Sequence, residues 1–247
     1  MSKKPKLSIV VPAYKEQQNI AKTLRDIVAV HDEVGYPYEV LVVVDGSPDK
    51  TAEEARKVHS ENIQVFDYKQ NQGKGYALRY GTERARGDIV TFADAGGDFD
   101  PRQFDRFVKL MDAFDADLVI GSKRHPASRV NYPFKRRVFS RGYHALVKLL
   151  FGLNVTDTQT GLKFLKAEVA KDVMPRLLVK QYAFDLEMLV VSQQLGYRRI
   201  FEAPVDLEFN ATGSGINLKA IKKMFIDTLA IFYRARLLNY YRKSDKK

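Results

Sequence analysis

An α/β fold with a mainly parallel central sheet flanked by helices follows from three observations. Short apolar runs alternate with stretches of helical periodicity along the first half of the chain, and the connections between them are short. Each run is then closed by a polar or glycine-bearing loop. The runs are predominantly apolar, which is the pattern of strands covered by helices on both faces.

Leu7 to Val11 (LSIVV) is the first predicted strand, with Pro12-Ala13-Tyr14-Lys15-Glu16 as the loop after it. Asn19 to Val30 carries Ile20, Leu24, Ile27 and Val28 at helical spacing. Tyr38 to Val44 (YEVLVVV) is a second strand ending at Asp45-Gly46-Ser47-Pro48-Asp49, Thr51 to Val58 a helix, and Ile63 to Phe66 a third strand. Asn71-Gln72-Gly73-Lys74-Gly75 opens a helix from Tyr76 to Arg86. Ile89 to Ala93, between Gly87-Asp88 and a Gly/Asp cluster, is a fourth strand. Gln103 to Phe114 is helical, with Asp100-Pro101 reading as its cap, and Asp117 to Gly121 is a fifth strand. His31 and His59 read as exposed residues at helix ends.

The second half is less regular. Pro133 to Phe151 is helical, Asp157 to Lys163 a polar turn, Ala183 to Leu195 a helix, and Arg199 to Leu207 contains a strand. Asn210 to Gly215 is a loop. From Asn217 to Tyr241, at about 100° per residue, Leu218, Ile221, Phe225, Leu229 and Phe232 share one face, and Lys219, Lys223, Asp227 and Arg234 lie opposite. Such a helix either lies in a membrane interface or packs on the domain body or another copy with a solvated basic face. With no repeat and no low-complexity linker, the organisation expected is one domain over residues 1–214 and a basic amphipathic appendage over 215–247.

Bulk properties narrow the function. At 45% hydrophobic over 247 residues the chain can bury a sizeable core, which excludes disorder. The absence of cysteine excludes disulfides and thiolate metal sites and suits a reducing compartment such as the cytoplasm. No window approaches the ~20 apolar residues of a membrane-spanning helix. The excess of positive charge is local: Lys123 to Lys148 holds eight basic and no acidic residues, and Gly215 to Lys247 nine basic against two acidic. Nucleic acid, anionic lipid and phosphorylated substrate are the candidate partners. No nucleic-acid reader motif accompanies either stretch, which disfavours the first.

In a parallel sheet the loops after the first, second and fourth strands, and the one before the Tyr76 helix, share one edge, where ligands bind in α/β folds. A nucleotide needs carboxylate or carbonyl acceptors for its base and ribose, and cationic help for its phosphates. Asp45, Asp94, Lys74 and a cation can supply these, while Gly73 and Gly75 let backbone approach a ligand. Asp94 and Asp98 are hard oxygen donors of the kind Mg2+ or Mn2+ takes when it bridges to a diphosphate. Neither G-x-G-x-x-G nor G-x-x-x-x-G-K-[ST] occurs, which argues against a dinucleotide enzyme or a P-loop NTPase. Arg137, Ser140, Arg141 and His144 share a helix face in the acid-free stretch, as an anion site would. Asp185 and Glu187 open a helix, either facing a sugar or acceptor pocket or simply favouring the helix dipole.

Ser8 to Glu16 (SIVVPAYKE), Val43 to Thr51 (VVDGSPDKT), Asn71 to Ala77 (NQGKGYA) and Gly87 to Ala95 (GDIVTFADA) together resemble family 2 glycosyltransferases of the GT-A, Rossmann-like fold. Val119 to Arg124, Lys135-Arg136-Arg137 with Ser140, and Asp157 to Lys163 are similar to the polyprenyl-phosphate branch, typified by dolichyl-phosphate hexose synthases. The resemblance implies a nucleotide-sugar donor, Mg2+ or Mn2+, and transfer of a hexose with inversion to a polyprenyl phosphate, by a peripheral protein on the cytoplasmic face of a membrane. It implies nucleotide-sugar contacts at Pro12, Ala13, Tyr14, Glu16, Asp45, Gly73, Lys74, Gly75, Asp94 and Ala95. Metal falls to Asp94 and Asp98, the acceptor phosphate to Lys123, Arg124, Arg136, Arg137 and Ser140, and catalysis to Asp94, Asp98, Arg124 and Arg137.

Two positions depart from the family pattern. Val44 stands where the first of two adjacent acids is usual, and Gly96 replaces the second Asp of the D-x-D motif. Two other readings therefore stand beside the first: a transferase with a soluble phosphorylated acceptor, and a catalytically weak nucleotide-sugar-binding protein.

Overall fold

The computed structural model describes residues 4–97, 99–130, 134–180, 183–207 and 218–242. Through the first half, strands and helices alternate: β1 (Leu7–Ala13), α1 (Ile20–Val34), β2 (Tyr38–Asp45), α2 (Thr51–Arg56), β3 (Ile63–Tyr68), α3 (Lys74–Arg84), β4 (Ile89–Phe92), α4 (Phe104–Ala113) and β5 (Leu118–Ser122). The second half adds β6 (Arg129–Val130), α5 (Phe134–Phe151), β7 (Lys163–Lys166), α6 (Ala167–Val173), α7 (Phe184–Gln194), β8 (Ile200–Pro204), β9 (Asp206–Leu207) and α8 (Leu218–Phe232). Seven strands form one sheet in the order β3-β2-β1-β4-β7-β5-β8, and β6 pairs with β9 beside it.

Register brings the strand ends together. β1 runs parallel to both β2 and β4, with Ala13 beside Val44 and Val10 beside Phe92, and Asp45 lies beside Tyr68 of β3. The loops after β1, β2 and β4 therefore leave one edge of the sheet.

Successive side chains of a strand point to opposite faces, and here both faces are dry. Ile9, Val11, Val40, Val42 and Val44 pack with Ile20, Leu24 and Ile27 of α1 and with Phe104 and Phe107. Val10, Leu41 and Val43 face the other way, onto Ala77 and Leu78 of α3 and the helices of the second half. Each fully buried aliphatic side chain contributes roughly 1.5–3 kcal/mol, which is why these strands carry no polar alternation.

Four features differ from the sequence reading. β7 starts on the last residue of the stretch read as a polar turn, and β7 and α6 continue through residues to which the sequence reading assigns no element. β7 runs antiparallel between β4 and β5, a non-local pairing that leaves no local signature. Its first residue, Lys163, is fully buried, with its ammonium bonded to the Thr160 carbonyl and to Asp185 (2.8 Å). His31 is buried against Tyr36, Tyr38 and Phe104 instead of exposed, and neither ring nitrogen has a partner. Burial pushes it down to about 4, against the opposing charges of Asp105 and Asp32.

The fourth difference lies in α8, which meets the body through residues that helical periodicity did not single out, beside Phe232, which it did. Thr228 and Ile231, followed by Ala235 and Tyr241 beyond its end, are buried among residues of α5 and α7. Phe225, Ile226 and Leu229 are exposed. The helix is apolar on two sides. Close approach favours the small side chains at 228 and 235, whereas periodicity alone picks out the larger residues that face outward.

Candidate active site

The first two loops are laced together. Lys15 adopts a left-handed backbone (φ 58°), and its N–H donates to Ser47 Oγ at 2.9 Å. The Glu16 N–H donates to Thr51 Oγ1 (2.9 Å), and the Glu16 carboxylate accepts from the Asn19 amide. Asp49 accepts from the hydroxyls of Ser47 and Thr51 and from the Thr51 N–H. Burial would raise its pKa, but these hydrogen bonds outweigh it and hold the carboxyl down at about 2. Sequence reasoning missed this bracing role, although the D-x-T spacing is a turn signal. Tyr14, beyond Pro12 and Ala13, projects from the braced turn with its ring exposed.

Asp45, at the end of β2, is buried and shapes the next loop. Its Oδ1 accepts from Tyr68 Oη (2.9 Å) and the Gln72 N–H (2.7 Å), and its Oδ2 from the Gly73 N–H (2.8 Å). Burial and then the bond to Asp45 raise the Tyr68 hydroxyl, keeping it a donor. α3 starts at Lys74, two residues before the predicted start, so Lys74 and Gly75 form its first turn. Gly75 is closely approached: a Cβ there would lie 3.0 Å from the Val179 carbonyl oxygen and 3.2 Å from Lys180 Cα.

Asp94 leaves the end of β4 with its carboxylate partly exposed, and Lys74 Nζ is bonded to Oδ1. A partly exposed pair of this kind is worth about 0–1 kcal/mol, so an incoming diphosphate or cation can replace either partner at little expense. Its Oδ2 faces Gly161, where a Cβ would stand 3.5 Å away. The turn after Asp94 is fixed by the Thr23 hydroxyl on the Ala95 carbonyl (2.8 Å) and by the Gly97 N–H on the Asp94 carbonyl (3.0 Å). Asp100 accepts from the Arg102 N–H and guanidinium, which is the capping role read from the sequence. Asp98 lies outside the described residues.

Among the described residues no group of three His, Cys, Asp or Glu side chains could hold a metal ion. Asp94 alone still suits Mg2+, which commonly keeps several waters and takes only one or two carboxylates. The donor set therefore fits a cation bound mainly through water and ligand oxygens.

Lys123 and Arg124 follow β5 at the same edge. Lys123 donates through its N–H to Asp157 (3.0 Å), and its ammonium lies 3.6 Å from the same carboxylate. Burial raises Asp157, but the Lys123 charge, the Thr160 hydroxyl and two backbone N–H groups together hold it below the ordinary carboxylate range. The Arg124 N–H donates to Ser122 Oγ. Burial, then the charges of Arg124 and Lys148, push His144 of α5 downward. The side chains of Arg136, Arg137, Ser140 and Arg141 lie outside the described residues. Asp185 turns to Lys163, whereas Glu187 is fully buried and bonded to backbone N–H groups of Leu178 and Val179 and to Arg234 and Tyr241.

The site thus gathers Tyr14, Glu16, Asp45, the Gly73–Gly75 turn and Asp94 at one sheet edge, with Lys123 and Arg124 at the end of β5, one strand beyond β7. The sequence model of glycosyl transferase family 2 matches residues 8–174, which include all of these positions. The chain belongs to that family. It is 32% identical over 204 residues to a dolichyl-phosphate beta-glucosyltransferase of Dictyostelium discoideum, covering 76% of this chain. It is 30% identical over 254 residues to one from Trichomonas vaginalis, covering 96% of this chain. The matches span 62% and 74% of those relatives' own lengths. Among solved structures, mannosyl-3-phosphoglycerate synthase from Rubrobacter xylanophilus superposes with a TM-score of 0.71 at 18% identity, covering 98% of this chain and 77% of that one. Glucosyl-3-phosphoglycerate synthase from Mycobacterium tuberculosis, in complex with Mn2+, UDP-glucose and phosphoglyceric acid, gives 0.67 at 20% identity, covering 98% and 82%. At these identities the likeness establishes the fold, GT-A.

Proposed function

We propose that this family 2 member is an inverting hexosyltransferase that moves a sugar from a nucleoside-diphosphate donor to a polyprenyl, dolichyl-type phosphate at a membrane surface. The observation that carries the reading is the meeting of Lys74 and Asp94 beside the loops after β1 and β2, with Arg124 following at the end of β5. The dolichyl-phosphate relatives support the acceptor class.

The chemistry asks little of a general base. A phosphate monoester is already anionic at neutral pH, so its oxygen attacks the anomeric carbon directly. The bond from that carbon to the donor diphosphate breaks, and the nucleoside diphosphate leaves with the electron pair. The harder tasks are bringing two anions together and stabilising the leaving group. In this reading Lys74 meets the donor diphosphate, and Lys123, Arg124, Arg136, Arg137 and Ser140 meet the acceptor phosphate, with Lys123 anchored on Asp157. Asp45 acts on the donor through the loop it braces, and Tyr14 and Glu16 border the nucleoside. Bound Mg2+ or Mn2+ would be held by Asp94, together with Asp98, and would neutralise charge on the departing diphosphate.

The same reading gives α8 a second partner. Phe225, Ile226 and Leu229, then Tyr233 and Leu237 beyond the helix, are exposed, and Lys222 and Lys223 are exposed beside them. Apolar side chains bordered by lysines suit the interface of an anionic bilayer, here on the cytoplasmic face.

The test is transfer itself. The purified chain is incubated with UDP- and GDP-hexoses, Mn2+, and vesicles carrying a polyprenyl phosphate. A polyprenyl-phosphate hexose of inverted anomeric configuration is the expected product. Transfer only to water-soluble phosphate esters would move the reading to a soluble acceptor, and donor binding without transfer would leave a binding protein.

A further inference from the structure

Glu187 stands on the first turn of α7 with no exposed surface, and its two oxygens receive donors from distant parts of the chain. Oε2 accepts from the backbone N–H groups of Leu178 (2.8 Å) and Val179 (2.7 Å). Oε1 accepts from Arg234 Nη2 (3.0 Å) and from the Tyr241 hydroxyl. Arg234 Nε donates in turn to the Tyr241 oxygen at 2.8 Å, which closes a ring of three side chains. Burial, then the Glu187 charge, raise the Tyr241 hydroxyl and keep it a donor.

The segment held by Oε2 leans on the donor loop. Arg79 of α3 donates to the Leu177 carbonyl, and the Lys180 carbonyl accepts from the Gly75 N–H at 3.3 Å. The Val179 carbonyl and Lys180 Cα are among the atoms that approach Gly75 closely. Gly75 follows Lys74, the partner of Asp94. A connected path therefore runs from Tyr241 and Arg234 through Glu187 and residues 178–180 to the loop at Gly73–Gly75.

We propose that Glu187, Arg234 and Tyr241 form a clamp through which the carboxyl-terminal segment positions the Gly73–Gly75 loop, so that donor affinity depends on residues at the far end of the chain. The proposal rests on the donor-site reading given above. None of the three side chains meets the donor; they are positioning residues. The physical reason is that Asp45 braces this loop only as far as Gly73, whereas the Gly75 N–H is held by the Lys180 carbonyl, and a site is only as well placed as the groups that support it. Without Arg234 and Tyr241, the Glu187 carboxylate would keep its backbone donors but lose its cation, and a buried charge in that condition recruits water or shifts the backbone that holds it.

The test compares the wild type with Tyr241→Phe, Arg234→Lys and Arg234→Met, each held well below its unfolding midpoint. UDP and GDP, each with Mn2+, are titrated by calorimetry, and amide exchange is followed at Gly73, Gly75, Leu178 and Val179 without nucleotide. Tyr241→Phe keeps the ring and removes one donor to a charged acceptor, so nucleoside-diphosphate binding is expected to weaken about tenfold. Arg234→Met should weaken it further, and Arg234→Lys should recover part of the loss. With a sugar donor, KM should rise more than kcat falls. Exchange at Gly75 should speed up together with that at Leu178 and Val179. Unchanged affinity in a folded Tyr241→Phe protein, with only its melting temperature lowered, would overturn the clamp and leave Glu187 a structural residue. If the wild type binds neither nucleotide, the donor-site reading fails on its own. The exchange arm then decides the clamp: faster Gly75 exchange in Tyr241→Phe supports it and unchanged exchange overturns it.

Discussion

Along β1, β2 and β4 each strand delivers its functional residues within a few positions of its own end, and the loops brace one another through Ser47, Asp49, Thr51 and Asp45. The second half works differently. Gly161 reaches Asp94, Asp185 is tied to Lys163, and Glu187 is tied to Arg234 and Tyr241, all across long stretches of chain. In the proposed reading the first half forms the donor cradle from strand–loop units, and the second supports it from outside by tertiary ties. Substitutions at the strand-end carboxylates of the first half, Asp94 above all, should act on the chemistry, and those at the tertiary ties of the second on stability and on the placement of the cradle.

The largest expected effect is at Asp94. Asp94→Ala removes the carboxylate that pairs with Lys74 and suits a cation, and kcat should fall by about 10²–10³-fold. Because the pair itself is weak, melting should shift little, and calorimetric scanning alongside steady-state kinetics checks both. In the second half the order reverses. Arg234→Met leaves the buried Glu187 charge without its cation, and breaking such a pair costs about 3–5 kcal/mol, to be read from urea unfolding.

A pH series sharpens the contrast further. His31 is held near 4 in the fold and returns to about 6.5 when unfolded. Between those values the unfolded chain binds more protons, so stability is fully present above pH 6.5 and declines as the pH falls toward 4. The term is of order 3 kcal/mol, and His31→Phe should flatten that window of the stability profile. Ser47→Ala, which strips one hydrogen bond from Asp49, should cost about 1 kcal/mol. It should also shrink the stability that Asp49 contributes above pH 4 and loses as the pH falls toward 2.

Legibility in the sequence followed the same division. Predominantly apolar runs revealed β1, β2, β4 and β5 to within a few residues, and Tyr14, Asp45, Lys74 and Asp94 all proved to lie at strand or helix ends on one edge. β7 was hidden because lysines begin and end it, and only its neighbours β4 and β5 make it a strand. Lys163 and His31 look like surface residues until their burial is known. Asp185 and Glu187, two residues apart, serve unrelated partners that helix periodicity cannot name. The inward face of α8 was illegible for a related reason: Thr228 and Ala235 are chosen for closeness, not hydrophobicity.

The convergence of the strand ends into one donor cradle is tested most directly by hydrogen–deuterium exchange with UDP or GDP and Mn2+. Residues 12–16, 45–49, 71–75 and 94–97 should become protected together, at a single nucleotide concentration. Protection confined to one of these segments, or found only at a surface away from them, would contradict the shared site.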